Sequence, residues 1–146
     1  MELKRVVVTG LGAITPVGNN VPEMWNNIVN GVSGAAPITH FDTEKFKTKF
    51  ACEVKGFNAA DYIDPKEARK MDLYSQYAVA AAKQAMEDSK MDLTKVNLDR
   101  IGVIYGVGIG GLRTFEEEYG YYERTKEIVP KFNPFFIPKM ISDIAA

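Results

Sequence analysis

The chain has 146 residues, of which 46% are hydrophobic and 25% are charged, and these proportions are ordinary for a globular protein. They exclude a disordered chain, a collagen-like repeat and a coiled coil, and the formal charge of -1 provides no strong overall field for nucleic acid or a membrane surface. A single cysteine, and the lack of any apolar run near the roughly 18 residues of a membrane helix, predict a one-domain, soluble protein of the cytoplasm.

The N-terminal part of the chain predicts a strand, a turn and a helix. Residues 6–8 are valines that indicate a buried strand, and the segment Gly10-Leu11-Gly12 indicates a turn after it. Asn20 is a candidate N-cap, with Pro22 in the first turn and Glu23 placed to complete a capping box. The helix is expected to end near Gly31 and to turn four side chains inward: Met24, Trp25, Ile28 and Val29.

The middle of the chain predicts a short strand and two more helices. Residues 50–54 alternate weakly and indicate the strand, and Asp64, Pro65 and Glu67 form a second helix start. A longer helix is expected over 72–89, with apolar positions at helical spacing: Leu73, Tyr77, Ala78, Ala81, Ala82, Ala85 and Met86. Because alanine dominates these positions, we expect the backbone of this helix to pack closely against another element.

The C-terminal part predicts a third strand and two helical segments. Residues 101–106 indicate a buried strand, and an amphiphilic segment follows over 112–126. Residues 132–141 lead into a helix that we expect to be still running at Ala146, so residues 1–146 are expected to be part of a longer chain. The alternation of strands and helices predicts an α/β fold with a mainly parallel sheet.

Two glycine-rich turns are candidates for ligand binding. The turn at residues 10–12 suggests a dinucleotide site, but Thr15 stands where the third glycine of that motif belongs and residues 30–33 lack the acid that holds a ribose. A tight strand-to-helix turn is the preferred interpretation. Residues 106–111 lack the Gly-Lys-Ser/Thr of a phosphate loop, so they form either a flexible connection or a turn that lets a ligand come close. In the second case Ile109 is placed to form a movable wall of an apolar pocket.

Basic side chains form two groups on predicted helices. Lys66, Arg69 and Lys70 are expected to share one helix face, which suits an acidic partner, but the residues alone favour an ordinary solvated surface. Arg124 and Lys126 form a second pair, interleaved with Glu123 and Glu127.

The residue types of nucleophilic catalysis are almost missing. Cys52 lies in a strand-like run with no cation or helix start beside it, so we expect a buried, inert thiol. His40 is expected to be a surface imidazole in a loop. No spacing typical of metal ligands occurs. The chain therefore shows no catalytic constellation and no metal site.

Three segments together resemble one family. They are residues 7–18, the run Lys70-Met71-Asp72 with Ser75-Gln76-Tyr77-Ala78, and residues 134–138. In this order they are similar to the N-terminal portion of the β-ketoacyl-acyl carrier protein synthases, specifically the type II elongating (KAS II) group. The resemblance implies a thiolase-like, layered α/β/α/β/α fold, of which residues 1–146 form part of the N-terminal half, and a homodimer. It also implies decarboxylative Claisen condensation in fatty acid elongation, with acyl carrier protein as partner.

The resemblance also implies roles for residues of this chain. The catalytic cysteine and two histidines of the family are expected beyond residue 146, so this segment alone is expected to be inactive and to hold no cofactor. The implied acyl-pocket residues are Gly108, Ile109, Gly110 and Phe136. The implied carrier-docking residues are Lys66, Arg69, Lys70, Arg124 and Lys126. Two alternatives stay open: a non-catalytic subunit of the chain-length-factor type, and a Rossmann-type NAD(P)-binding oxidoreductase.

Overall fold

The computed structural model describes residues 3–126, 128 and 131–146. Its α-helices are α1 (Val21–Val29), α2 (Pro65–Ala68), α3 (Leu73–Ser89), α4 (Leu112–Thr125) and α5 (Phe136–Met140). Its strands are β1 (Ala36–Pro37) and β2 (Phe50–Ala51), and single 3-10 turns cover Ala59–Asp61 and Leu98–Arg100. The chain forms two compact units: one runs to Asn58 and includes Ala81–Met91, and the other comprises Ala59–Ala80 and Asp92–Ala146.

Helix α1 starts where its capping residues predict. The Asn20 side chain accepts a hydrogen bond of 2.8 Å from the backbone N–H of Glu23, and the Glu23 carboxylate accepts one of 2.8 Å from Asn19 N–H. The reciprocal bond therefore reaches one residue further back than a capping box does. After the helix, Gly31 has a φ of +67°, a left-handed conformation that suits glycine.

The predicted inward face of α1 is wrong for three of its four side chains. Met24 is half-buried, but Trp25 is 61% exposed and Ile28 and Val29 are exposed as well. The helix is instead held through Asn27, whose side-chain amide donates a bond of 2.6 Å to the Val17 carbonyl. Within the described residues, nothing covers the face that carries Trp25.

The predicted sheet differs most from the structure. Residues 6–8 and 101–106 are not strands, and they are exposed rather than buried, with Val6 at 88% and Ile104 at 99%. A strand exists only through a ladder of backbone bonds to a neighbour, and within 3–126, 128 and 131–146 these two segments have no such neighbour. The described sheet has two antiparallel strands, which pair Ala36 with Ala51 and Pro37 with Phe50. The prediction of a mainly parallel sheet is therefore wrong for the described part of the chain. The strand predicted over 50–54 forms only at 50–51.

The close packing predicted for the alanine-rich helix is confirmed in the first unit. A Cβ added at Gly12 would lie 1.9 Å from the Ala81 carbonyl oxygen, and one added at Gly10 would lie 2.1 Å from the Ala85 carbonyl oxygen. The backbone of residues 10–13 thus lies directly on α3. Two α3 side chains hold it there: Asp88 accepts from Leu11 N–H at 2.9 Å, and Gln84 accepts from Ala13 N–H at 3.1 Å.

The second unit has a small core of alanines and one isoleucine. Its buried apolar residues are Ile63, Ala68, Ala78 and Ala80, and its buried polar residues are Asp72, Ser75 and Thr114. Helix α2 begins as predicted, since the Asp64 carboxylate accepts from Lys66 N–H at 2.8 Å and Pro65 is the first helical residue. The amphiphilic segment forms α4 over Leu112–Thr125, close to the predicted bounds.

The prediction that the last helix continues to Ala146 is wrong. Helix α5 ends at Met140, and Ile141 has an extended backbone with a φ of −63° and a ψ of 122°. The Tyr74 hydroxyl donates a hydrogen bond to the Ile141 carbonyl. That carbonyl is therefore bound by a side chain from α3, and its backbone partner, Ile144 N–H at 3.4 Å, lies in a turn and not in a further turn of α-helix.

Candidate functional site

Residues 108–111, called the glycine loop below, lie against the end of α5 at Gly110 and Gly111. Gly110 has a φ of +87°, and a Cβ there would be 2.5 Å from the Met140 carbonyl oxygen. Gly111 N–H donates to the same oxygen at 3.3 Å. Glycine is required at both places because any side chain would push the loop off α5. Gly108, by contrast, has open space around it, and Ile109 is 73% exposed.

Phe136 is the first residue of α5 and is half-buried among other aromatic rings. Its ring centroid lies 5.7 Å from that of Phe132 and 6.4 Å from that of Phe115 on α4. Since Gly110 contacts Met140, the glycine loop and Phe136 lie at the two ends of one five-residue helix. At about 1.5 Å per residue, these ends are about 6 Å apart along the helix axis. The structure thus places Gly110 and Phe136 at opposite ends of α5, whereas it shows no contact of Gly108 with this helix and leaves Ile109 exposed.

The prediction that Lys66, Arg69 and Lys70 share a helix face is wrong, because α2 ends at Ala68: only Lys66 lies in the helix, Arg69 is its C-cap and Lys70 follows. These three cations at the end of α2, called the α2 cationic face below, differ in how they are held. Lys70 is fixed: its ammonium bonds the Glu67 carboxylate at 2.6 Å and lies 6.0 Å from the centre of the Phe135 ring. Lys66 and Arg69 are exposed, and neither has an ion-pair partner in the described part of the chain. Two charges of this face are therefore available to an incoming acidic group.

The second basic pair is less open to a partner. The Lys126 ammonium bonds the Glu123 carboxylate at 2.9 Å, and this hydrogen bond raises the pKa of Lys126 and lowers that of Glu123. Arg124 lines a shallow surface hollow together with Lys131 and two acids of α4, Glu117 and Glu118. The surroundings of Arg124 and Lys126 are thus of mixed charge, and Glu127 lies outside the described residues.

A buried contact that the sequence did not predict joins two helix starts. The carboxylate of Asp72, just before α3, accepts from the Thr114 hydroxyl at 2.5 Å and from Thr114 N–H at 3.3 Å, in the first turn of α4. Its other oxygen faces Tyr74 N–H at 3.4 Å. The only signal in the sequence is an aspartate directly before a predicted helix, which is typical of an N-cap and does not reveal the second partner.

Cys52 and His40 form no catalytic pair. The prediction of a buried thiol is wrong, because Cys52 is exposed to solvent directly after β2. His40 is at the surface as predicted, with Nε2 3.8 Å from a Glu53 carboxylate oxygen. Hydrogen bonds from Thr39, through its N–H at 3.0 Å and its hydroxyl at 2.7 Å, hold the pKa of Glu53 below its usual value.

The geometry of Gly10 and Gly12 favours packing over dinucleotide binding. The α3 backbone fills the space where a side chain at either glycine would lie. A pyrophosphate therefore could not approach from that side. The residues described in the structure contain no cluster of three or more potential metal ligands. Among the same residues, no helix combines the length and apolarity needed to cross a membrane.

The chain is similar to one known family and to named relatives. The family model described as "Beta-ketoacyl synthase, N-terminal domain" matches residues 3–146. A relative from Staphylococcus aureus (strain COL), named 3-oxoacyl-[acyl-carrier-protein] synthase 2, is 45% identical over 97% of this chain and 34% of its own length. A protein of the same name from Vibrio cholerae is 46% identical over 100% of this chain and 35% of its own. The chain thus spans about a third of the curated relatives it matches.

Three solved structures that are named as ketosynthases or β-ketoacyl synthases also resemble this chain. A ketosynthase/chain length factor described for ishigamide matches with a TM-score of 0.75 and 29% identity, over 96% of this chain and 34% of the other. A type II PKS acyl-carrier protein in complex with its ketosynthase, AntDE:AntF, matches with a TM-score of 0.76 and 26% identity, over 98% and 37%. A β-ketoacyl synthase from Burkholderia phymatum STM815 matches with a TM-score of 0.74 and 26% identity, over 99% and 35%.

Proposed function

Since the chain belongs to the β-ketoacyl synthase family, whose N-terminal domain it carries, we propose that it forms the acyl-pocket wall and the carrier-docking surface of a fatty acid elongating enzyme. Its fold is the corresponding part of the thiolase-like fold of the ketosynthases. The reaction proposed for the whole protein is a decarboxylative Claisen condensation. Malonyl carrier protein loses CO₂, and the resulting carbanion attacks the carbonyl of an acyl-enzyme thioester and expels the cysteine thiolate.

The family resemblance implies which groups of the enzyme carry out the chemistry. It assigns the nucleophilic cysteine and the two histidines to the rest of the protein, and among the described residues Cys52 and His40 form no pair. This chain then contributes binding and positioning, which place the reacting groups for attack. For the same reason we propose that residues 1–146 alone do not catalyse the condensation.

The observation that carries the proposal is the α2 cationic face. Lys66 and Arg69 are exposed and lack ion-pair partners among the described residues, while Lys70 is held by Glu67 and Phe135. An acidic protein surface would complement two such charges and would be steered towards them at low ionic strength. One of the similar solved structures is a ketosynthase in complex with an acyl-carrier protein, which supports the same class of partner here. Arg124 and Lys126 are proposed as a less open extension of this face.

The proposed acyl pocket is formed by Gly108, Ile109, Gly110 and Phe136. Gly110 is fixed on the end of α5, whereas Ile109 is exposed beside the open space at Gly108. A branched apolar side chain on a short glycine loop can line a pocket for an acyl chain and can move when the chain grows. Phe136 supplies an aromatic surface at the other end of the same helix. We propose that Phe136 also faces the partner subunit of a homodimer, and that the enzyme works in the cytoplasm.

A non-catalytic subunit of the chain-length-factor type is the second candidate. It is favoured by the similarity to a ketosynthase/chain length factor structure at 29% identity, although the relatives named synthase are 45% and 46% identical. The two functions differ in the nucleophile. Mass spectrometry after incubation of the whole protein with an acyl thioester distinguishes them, because only a synthase gains the mass of the acyl group on a cysteine.

Charge reversal tests the docking surface directly. We expect Lys66→Glu combined with Arg69→Glu to weaken binding of acyl carrier protein, measured by calorimetric titration at low salt, by about tenfold or more. Lys45→Glu combined with Lys47→Glu makes the same change in net charge at exposed positions of the other unit and serves as the matched control. If both double variants bind acyl carrier protein as tightly as the unmodified chain does, the α2 cationic face is not part of the docking surface.

A further inference from the structure

The first two turns of α3 connect the α2 cationic face to the glycine loop. On one side, the Gln76 side-chain amide donates to the carbonyls of Ala68 at 3.0 Å and Met71 at 3.3 Å. Ala68 is the last residue of α2, directly before Arg69. The end of α2, between Lys66 and Arg69, is therefore bound to a side chain of α3.

On the other side, the buried Asp72 binds the start of α4. Its carboxylate accepts from both the hydroxyl and the N–H of Thr114, and its backbone carbonyl accepts from Gln76 N–H at 3.1 Å, which joins it to the first turn of α3. Thr114 lies in the first turn of α4, which begins directly after the glycine loop. Leu112 N–H donates to the Gly110 carbonyl at 2.9 Å, so a displacement of this turn reaches the loop within one residue.

We propose that Asp72 is a positioning residue that couples occupation of the α2 cationic face to the motion of the glycine loop. This inference rests on the proposed function, because it requires that the acidic carrier protein docks on Lys66 and Arg69. Docking restrains α2. The restraint passes through Gln76 and Asp72 to Thr114, and the loop that carries Ile109 becomes less mobile before the acyl chain enters. Two ligand sites that restrain the same set of groups favour each other without a large structural change.

Amide hydrogen exchange of the chain with and without acyl carrier protein tests the coupling. In the unmodified chain we expect the carrier to slow exchange at residues 108–114 by about fivefold, the lower end of common coupling strengths. Thr114→Val keeps the shape and the N–H of Thr114 but removes the hydroxyl donor. For this variant we expect carrier affinity within about twofold of the unmodified chain, with the slowing in the loop reduced to less than about twofold.

Three further variants show whether the bond to Asp72 is responsible. Thr114→Ser restores a hydroxyl and is expected to restore the slowing. Thr125→Val removes a threonine hydroxyl at the other end of α4, where it donates to the Tyr121 carbonyl, and is expected to leave the slowing unchanged. Gln76→Met breaks the connection on the α2 side and is expected to act like Thr114→Val, which keeps the test valid if the Thr114 variant is poorly folded.

The outcomes separate this inference from the proposed function. If the carrier does not bind the unmodified chain, the docking function itself is wrong and the coupling is wrong with it. If the carrier binds but exchange in the loop does not slow, or if the slowing is the same in Thr114→Val and Gln76→Met as in the unmodified chain, only the coupling is overturned.

Discussion

Gly12 offers a quantitative test of how α3 holds the N-terminal segment. Substitution by alanine would place a Cβ 1.9 Å from the Ala81 carbonyl oxygen and 2.9 Å from the Ala85 nitrogen, whereas ordinary contacts of such atoms begin at 3.4 Å. The colliding atoms belong to a helix backbone, which cannot rotate away as a side chain would. The segment must retreat from α3, and the 3.1 Å bond from Ala13 N–H to Gln84 is then lost.

The expected cost adds two effects. Overpacking of a closely packed site costs about 1–3 kcal/mol. Loss of a half-buried hydrogen bond adds about 0.5–1.5 kcal/mol. We therefore expect Gly12→Ala to lower the free energy of unfolding by about 2–4 kcal/mol, measured by urea titration followed by far-ultraviolet circular dichroism.

Gly102 supplies a matched control for this substitution. A Cβ at Gly102 would meet nothing within 4 Å, and its φ lies outside the left-handed region. Gly102→Ala is therefore expected to leave the free energy of unfolding unchanged, or to raise it by up to about 1 kcal/mol because alanine restricts the unfolded chain. If Gly12→Ala is as stable as Gly102→Ala, close packing between the segment and α3 does not stabilise this fold.

Three other predictions address the pocket, a pH-dependent contact and a helix cap. In a synthase made by joining residues 1–146 to the rest of the Staphylococcus aureus enzyme, Ile109→Phe is expected to shorten the acyl chains accepted, because the larger ring fills the pocket. Ile109→Ala is the control, and product lengths by mass spectrometry that do not differ between the two would exclude Ile109 from the pocket wall. The lowered pKa of Glu53 means that its bonds to Thr39 stabilise the fold fully above the usual value of 4.5 and are lost as pH falls through the lower folded-state value. Nuclear magnetic resonance shifts of the Thr39 amide should show this titration, and Glu53→Gln should abolish it; a shift that persists in the variant has another origin. Asn20→Ala removes the cap of α1 and is expected to cost about 1 kcal/mol in urea titration, whereas no loss would mean that the bond to Glu23 N–H does not stabilise α1.

The helices could be predicted because their starting signals are local. Asn20 bonds Glu23 three residues later, and Asp64 bonds Lys66 two residues later, so each cap and its partner lie within one short window of sequence. The alanine-rich pattern of α3 similarly predicted a close approach by another backbone. Its partners, Gly10 and Gly12, were visible as a turn, although their role in packing was not.

The strands and the central contact could not be predicted in the same way. A strand needs a neighbour that the local pattern does not specify, and residues 6–8 and 101–106 have the composition of strands without a ladder in the described structure. The contact between Asp72 and Thr114 joins residues 42 positions apart, and neither residue type is unusual at its place. The resemblance to the ketosynthases supplied the site residues, which local chemistry alone left open between a ligand turn and a flexible connection.

Gln84 holds the chain in two directions at once. Its carbonyl oxygen accepts from Ala13 N–H at 3.1 Å, and its amide nitrogen donates to the Asn19 carbonyl at 2.7 Å. One planar side-chain amide thereby offers the backbone the same pair of groups that a peptide unit of an adjacent strand would offer. Glutamate at this position would keep only the acceptor, and methionine neither group, so the loop between Ala13 and Asn19 depends on an uncharged amide rather than on side-chain size.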